Sequence, residues 1–258
     1  NVWAWKEGRV EQIKKYTNKL FVILPFEEAF YQKHNHKVYF TGHPLIDAIE
    51  QQRPRLKSRE EFIRTNNLSN KEIIAVLPGS RAQEIERMLN DMAEVVKNFK
   101  EYQFVVAGSN NLSGNYYKPL EEKNIKVVFN QTYELMSYAK AGIIKSGTST
   151  LESALLGLPQ VVCYKGGSLS FAIGKRLVNV KYISLVNLIM DKPIVKELIQ
   201  QDFTVKNMSD ELGKLLNDKP YRDNILQEYK NLIELLGGAG ASKKLAKHLV
   251  EDAKGEMV

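Results

Sequence analysis

Two short stretches of this chain combine small residues, hydroxyls and ionisable groups at spacings suited to holding an anion. Pro78-Gly79-Ser80-Arg81 follows an apolar run, so a glycine, a hydroxyl and a guanidinium stand at the mouth of a strand. Backbone N–H groups and charge-assisted contacts there could take a phosphate oxygen. The same residues would also serve as a plain strand-to-helix turn, with Ser80 as N-cap and Arg81 in solvent. The second stretch, Lys145-Ser146-Gly147-Thr148-Ser149-Thr150-Leu151-Glu152, runs from the apolar Ile143-Ile144 through a small-residue turn into apolar residues at helical spacing. A ligand can approach such a turn closely, and the first helical turn offers unpaired N–H groups and the positive end of the helix dipole. This second stretch carries neither the Gly-Lys-Ser/Thr ending of a P-loop nor a Gly-x-Gly-x-x-Gly pattern, so a nucleotide would be held differently.

Glu152 has two readings. Ser149-Thr150-Leu151-Glu152 fits a capping box, in which Ser149 caps the N3 amide and Glu152 reaches back to the Ser149 N–H. Alternatively the carboxylate accepts from both hydroxyls of a diol such as a nucleotide ribose. His43, between Gly42 and Pro44, is placed for acid–base work or for a structural turn. His34 and His36 stand two apart with no carboxylate or cysteine cluster nearby, which argues against a metal site. Cys163 lies in the apolar run Gln160-Val161-Val162-Cys163-Tyr164 and reads as a small buried hydrophobe. Gly238-Ala239-Gly240 follows the helical Leu232 to Leu236 rather than a strand, so it reads as a helix C-terminus and not a nucleotide loop.

The elements that must position these residues alternate between strand and helix. Leu20 to Leu24 is a strand stopped by Pro25, and a helix follows through about Lys33. Val38-Tyr39-Phe40 is a short strand, Thr41-Gly42-His43-Pro44 a turn, and Leu45 to Gln51 a helix. Arg53 to Arg59 is basic and broken by proline, as a linker or domain edge would be. A second series has strands at Glu72 to Leu77, Tyr102 to Ala107, Ile125 to Phe129, Gly142 to Lys145 and Gln160 to Tyr164. Helices are expected from Arg81 to about Phe99, near Tyr116 to Glu122, Tyr133 to Ala141 and Thr150 to Leu156. Such alternation predicts an α/β fold with a doubly wound parallel sheet, whose ligands bind beyond the carboxyl ends of the strands. Beyond it come Ala172 to Asn179, the stretch Tyr182 to Ile189, and a helical tail from Lys206 to Lys254.

The 258 residues are 43% hydrophobic, enough for a packed core, and the 37 basic against 30 acidic residues give a net charge of +7 that favours anionic partners. The basic residues are scattered and match no nucleic-acid motif, so no nucleic acid is expected as partner. No apolar run is long enough to span a bilayer and no signal peptide opens the chain, which predicts a cytoplasmic protein. The Asn-x-Ser/Thr triplets at Asn67, Asn111, Asn130 and Asn207 then read as chance. Trp3, Trp5, Phe21, Phe26, Phe30 and Tyr31 read mostly as core, and any exposed part beside Lys6, Arg9, Lys14 and Lys15 would suit a membrane surface. The chain opens without methionine, directly into Val2-Trp3-Ala4-Trp5, as if cut within a domain.

Taken together and in order, a set of motifs resembles the lipid-A-disaccharide synthase family. They are Val2-Trp3-Ala4-Trp5 with Arg9, Leu24-Pro25-Phe26-Glu27, Gly42-His43-Pro44, Leu77-Pro78-Gly79-Ser80-Arg81 with Glu84-Ile85, Ser146-Gly147-Thr148 to Glu152, Pro159-Gln160-Val161-Val162 with Tyr164-Lys165, and Ser184-Leu185-x-Asn187-Leu188. The likeness runs from Val2 to about Leu198. One departure is Val186, where the family usually has proline before the asparagine.

The resemblance implies a GT-B glycosyltransferase built from two Rossmann domains. Residues 1–52 would be the end of the amino-terminal, acceptor-side domain, and residues 53–258 the nearly complete UDP-sugar-binding domain with its helical tail. The implied reaction transfers 2,3-diacylglucosamine from its UDP conjugate to 2,3-diacylglucosamine 1-phosphate, with inversion and without metal or cofactor, at the inner-membrane surface of a Gram-negative bacterium. A homodimer is compatible with it. Arg81, the amides around Gly79 and Ser80, and the helix N-terminus after Gly147 are then expected to receive the diphosphate. The loop of Ser146, Gly147, Thr148, Ser149, Thr150 and Glu152, with Asn187, is expected to hold uridine and ribose. The family's general base is an aspartate of the amino-terminal domain, expected upstream of Asn1, with His43 the candidate on this chain. The chain alone is therefore expected to bind UDP-type ligands and to have little or no transferase activity. Alternatives are a lipid II-type glycosyltransferase or UDP-sugar epimerase, which share the fold but not the Val-Trp-Ala-Trp and Leu-Pro-Phe-Glu pieces, and a non-catalytic nucleotide-binding module.

Overall fold

Ile73-Ile74-Ala75-Val76-Leu77 is apolar at every position, and all five residues are buried, as a strand covered on both faces requires. In a computed structural model of the chain, which describes residues 2–5, 7–167 and 181–254, this strand lies near the middle of a six-stranded sheet. Numbering strands along the chain, β1 is Phe21–Val22, β2 Tyr39–Phe40, β3 Ile73–Leu77, β4 Gln103–Gly108, β5 Lys126–Phe129, β6 Ala139–Lys145, β7 Gln160–Tyr164 and β8 Glu197–Ile199. The large sheet has the order β5-β4-β3-β6-β7-β8, and every neighbouring pair is parallel. The chain winds outward from β3 in one direction and, from β6, in the other. The doubly wound α/β expectation therefore holds, and the winding reverses between β3 and β6.

The described residues divide into two compact units, with boundaries at Arg55 and at Lys230. The six-stranded sheet belongs to the unit between them. On one face Ile73, Ala75 and Leu77 pack with Phe62, Leu135, Met136 and Ile144. Burying a side chain of this size stabilises the fold by roughly 1.5–3 kcal/mol. Helices Ala82–Glu94, Thr132–Tyr138 and Thr148–Leu155 follow β3, β5 and β6.

The other unit contains the parallel pair β1 and β2 and a cluster of Val10, Val22, Tyr31 and Val38. The carboxy-terminal helix Ala241–Ala253 also belongs here, which differs from the division into residues 1–52 and 53–258. The reason lies in Asp47, whose carboxylate accepts from the amides of Gly240 at 2.6 Å and Ser242 at 2.7 Å and so caps that helix. Gly238-Ala239-Gly240 is indeed a turn after a helix, Lys219–Leu235; the Gly238 amide donates to the Ile233 carbonyl and the Gly240 amide to the Asp47 carboxylate.

Element ends differ where local chemistry intervenes. The helix after β3 stops at Glu94 and continues as a 3-10 turn, Val95–Asn98. The helix expected near Tyr116 is a 3-10 turn, Gly114–Tyr117, followed by the short Lys118–Glu121. The helix from Thr132 ends at Tyr138, because Ala139 already begins β6. Strand β8 was not expected at all, and the helix expected from Ala172 to Asn179 lies outside the described residues. Among the described residues no helix is long and apolar enough to cross a membrane.

Candidate functional site

Strands β3 and β6 pair in register so that Leu77 lies beside Ile144, and the loops after them emerge side by side where the winding reverses. These are the two loops singled out by residue type. Between them and the ends of β4 and β5 opens a cleft of about 720 Å³. Gly79, Ser80, Arg81, Gly147, Thr148, Ser149 and Glu152 all line it.

In the first loop Gly79 has φ +109°, and a Cβ there would lie 2.4 Å from Glu84 Oε2. The backbone conformation favours glycine, and any other side chain would also have to displace the carboxylate folded over it. Glu84 Oε2 accepts from the Ser80 amide at 3.2 Å and the Arg81 amide at 3.4 Å, and Oε1 accepts from Lys145 Nζ at 2.8 Å. Burial raises the Glu84 pKa, but Lys145 and the two amides outweigh it and hold the carboxyl below its ordinary range. The expectation that loop amides face the diphosphate is corrected accordingly: those of Ser80 and Arg81 already have an anion. Ser80 is not an N-cap, since the helix Ala82–Glu94 has Arg81 in that position. The Arg81 side chain remains 82% exposed and open to a ligand.

In the second loop the helix begins at Thr148 with Gly147 at the N-cap. That register is two residues too early for the capping box, which needs Ser149 at the N-cap. Ser149 Oγ donates instead to the Lys145 carbonyl at 3.3 Å, and Glu152 Oε1 accepts from the Tyr133 hydroxyl at 3.0 Å. Among the described residues no hydrogen bond engages Glu152 Oε2. Burial pushes the Glu152 carboxyl up, and the Tyr133 hydrogen bond partly offsets this. Burial and the Glu152 charge together push the Tyr133 hydroxyl up to about 12.

Three expected ligand contacts turn out to be internal. Ser146 Oγ donates to the Ile183 carbonyl at 2.8 Å. Thr150, fully buried, donates to the Gly147 carbonyl at 2.8 Å and accepts from the Leu185 amide at 3.3 Å. Asn187 is 1% exposed; its Nδ2 donates to the Val195 carbonyl at 2.8 Å and to Glu197 Oε1 at 3.0 Å, and its Oδ1 accepts from the Val195 amide at 2.9 Å. An amide side chain so engaged braces the segment behind the loop and is not available to a nucleotide.

His43 is likewise structural. Its Nδ1 accepts from the Leu45 amide at 3.1 Å, capping the helix Pro44–Gln52, and burial lowers its pKa. In the neutral ring the proton then sits on Nε2, so the lone pair needed of a general base is already used. Sequence reasoning also missed part of the cleft: Ser109, Asn110 and Asn111 after β4, Asn130 and Thr132 beyond β5, and the pairing of Glu84 with Lys145. Asn110 Nδ2 donates to Asn130 Oδ1 at 2.5 Å, joining the ends of the two strands. The rule that strand carboxyl ends face ligand would have found these residues. Among the described residues no cluster of His, Cys, Asp and Glu could hold a metal ion.

A parallel sheet wound this way, with an anion-suited cleft at the reversal, defines a Rossmann-type domain. Two solved structures share the fold. UDP-GlcNAc 2-epimerase from Neisseria meningitidis, bound to UDP-GlcNAc, superposes with a TM-score of 0.61 at 18% identity, covering 91% of this chain and 61% of that one. The calicheamicin glycosyltransferase CalG4 gives 0.55 at 14%, covering 98% and 59%. Residues 1–250 match the family described as lipid-A-disaccharide synthetase, and the chain belongs to that family. Curated relatives named lipid-A-disaccharide synthase include one from Coxiella burnetii, 38% identical over 251 residues, which are 95% of this chain and 66% of the relative. Another, from Colwellia psychrerythraea, is 35% identical over 261 residues, 97% and 65%. The chain spans about two thirds of the length of the curated relatives it matches.

Proposed function

We propose that the cleft binds the UDP part of a UDP-activated, acylated glucosamine, and that the chain is the donor-binding portion of a lipid-A-disaccharide synthase. The observation that carries this is the convergence of the β3 and β6 loops at the reversal point, with Glu152 presenting an unengaged carboxylate oxygen into the same space. A carboxylate accepts from two ribose hydroxyls where an amide accepts less well, and the helix N-terminus beside it suits the diphosphate.

In the proposed reaction the 6-hydroxyl oxygen of 2,3-diacylglucosamine 1-phosphate attacks the donor anomeric carbon from the face opposite UDP. The carbon–oxygen bond to the β-phosphate breaks, UDP leaves with that oxygen, and configuration inverts. The hydroxyl proton passes to a carboxylate that the resemblance assigns to the amino-terminal domain. Arg81 and the amino end of the helix Thr148–Leu155 offset the charge that develops on UDP, with no metal required. The acylated substrates place the reaction at the inner-membrane surface.

Calorimetric titration with UDP, UMP, ADP and CDP tests the donor reading. Saturable binding with UDP preferred supports it, whereas no binding of UDP, or equal binding of all four, contradicts it. Incubation with both acylated substrates, read as disaccharide 1-phosphate formed, tests the rest: product is expected from a full-length relative and not from these residues alone.

A further inference from the structure

Lys145 ends β6, and its ammonium group is folded over the start of the following helix: a Cβ on Gly147 would lie 4.0 Å from Lys145 Nζ. For the free protein this is the wrong charge in the wrong place, because a helix N-terminus is itself positive. The side chain is only 17% exposed, so water screens little of the repulsion. One ammonium hydrogen goes to Glu84 Oε1 at 2.8 Å, and among the described residues no acceptor takes the other two.

Glu84 cannot neutralise everything that faces it. Its Oε2 serves the Ser80 and Arg81 amides, and its Oε1, besides Lys145, has Arg81 Nη1 at 3.5 Å. One carboxylate thus answers an ammonium, a guanidinium and two amides, with a helix N-terminus immediately beyond. Glu152, the other acid of the cleft, is bonded to Tyr133. The side-chain charges of the cleft balance, Arg81 and Lys145 against Glu84 and Glu152, but among the described residues two Lys145 hydrogens have no acceptor, and they stand beside a helix N-terminus that adds positive potential.

We propose that Lys145 is a phosphate-binding residue of this cleft, contacting the diphosphate of a UDP-type ligand with the hydrogens that Glu84 leaves free, and that Glu84 is the positioning residue that aims it. The inference rests on the nucleotide reading of the site. Base and ribose carry no negative charge and would gain little from this cation; the diphosphate would gain most. Glu84, folded over Gly79 and bonded to the two loop amides, holds Lys145 near Gly147 through its other oxygen.

The test compares UDP, by calorimetry, with uridine, by ligand-observed NMR, on the wild-type chain and on Lys145→Met, Lys145→Arg and Glu84→Gln. In Lys145→Met, UDP affinity is expected to fall about tenfold or more, the worth of a charge-assisted hydrogen bond, with uridine affinity unchanged. Lys145→Arg should recover most of the loss. Glu84→Gln should weaken UDP but not uridine, a split that a merely structural role would not produce. Unchanged uridine binding also reports that each variant is folded; if Lys145→Met does not fold, Lys145→Gln carries the same comparison. UDP affinity equal to wild type in the Lys145 variant, or loss of UDP and uridine in equal proportion, overturns the proposal. A wild-type chain that binds neither ligand overturns the nucleotide reading itself, so the two failures are told apart by the wild-type control.

Discussion

Tyr133 and Glu152 meet at 3.0 Å, the phenolic hydroxyl donating to a carboxylate oxygen across the mouths of β5 and β6. Each comes from the first turns of a helix that follows one of those strands, Thr132–Tyr138 and Thr148–Leu155. The bond fixes Glu152 by one oxygen and turns the other toward the cleft. It also lowers the cost of keeping a half-buried carboxylate ionised.

Removing the tyrosine hydroxyl should therefore move the pH dependence of nucleotide binding. Burial holds the Glu152 pKa above its ordinary value and Tyr133 pulls it partly back, so Tyr133→Phe raises it further. A ribose contact needs the carboxylate, and affinity is lost as pH falls through that pKa. The acid limb of a UDP-affinity profile is expected at higher pH in Tyr133→Phe than in wild type. An unshifted limb would mean that Glu152 ionisation is not what binding reads.

The same raised pKa has a stability consequence of opposite sense to the usual carboxylate. A group whose folded pKa lies above its unfolded value contributes stability below the unfolded pKa and loses it as pH rises through the folded one. At neutral pH the Glu152 charge thus costs stability. Glu152→Gln, which can still accept from Tyr133, is expected to melt no lower than wild type at pH 7 in calorimetry.

Gly79→Ala puts a Cβ into a backbone of φ +109° and against Glu84 Oε2. A strained conformation of this kind costs roughly 1–3 kcal/mol, and relief requires the Glu84 carboxylate to leave the loop. Denaturant unfolding should show that loss, accompanied by weaker UDP binding. Full stability with full affinity would show that the loop is looser than its contacts indicate.

Asn187→Ala separates bracing from ligand contact. It strands the buried Val195 amide and carbonyl, at a cost of roughly 1–3 kcal/mol for each group left unsatisfied. Unfolding should be easier, while the folded fraction binds UDP with near wild-type affinity. A large affinity loss without a stability loss would restore Asn187 to the site.

Asp47 should govern the docking of the last helix. Burial raises its pKa, but the amides of Ser242, Gly240 and Ala241 outweigh it and the net shift is downward. The stability it confers is then present above its unfolded pKa and is lost as pH falls through the lower, folded one. Asp47→Ala should cost about 1 kcal/mol at pH 7, as loss of a cap does, with the difference from wild type shrinking in acid. Protease resistance of residues 241–253, compared at the two pH values, checks it.

What the sequence showed plainly was whatever depends on local pattern. The apolar run Ile73 to Leu77, the small residues after it and the turn after Ile144 announce strand, loop and helix in order. That order, with the rule that ligands sit beyond strand carboxyl ends, placed Gly79, Arg81 and Glu152 together. Long-range partners were not legible. Nothing about Glu84 in its helix indicates that its carboxylate folds back over Gly79, or that Lys145, 61 residues on, completes the pair. Asn187 misled because a ligand-binding asparagine and a bracing one look alike until Val195 and Glu197 are seen around it. The capping box at Ser149 failed by two residues of helix register, which pattern does not resolve. Nor does sequence show that Asp47 accepts from the Gly240 amide 193 residues further on, the contact that ties the last helix to the amino-terminal segment.

The ribose role of Glu152 is the point on which the nucleotide reading turns, and one titration decides it. UDP is titrated calorimetrically into the wild-type chain and into Glu152→Gln at pH 7, with melting temperature recorded on the same samples. The expected result is saturable binding by wild type and affinity lower by about tenfold or more in the variant, with no lower melting temperature. Equal affinity of the two chains for UDP would contradict it.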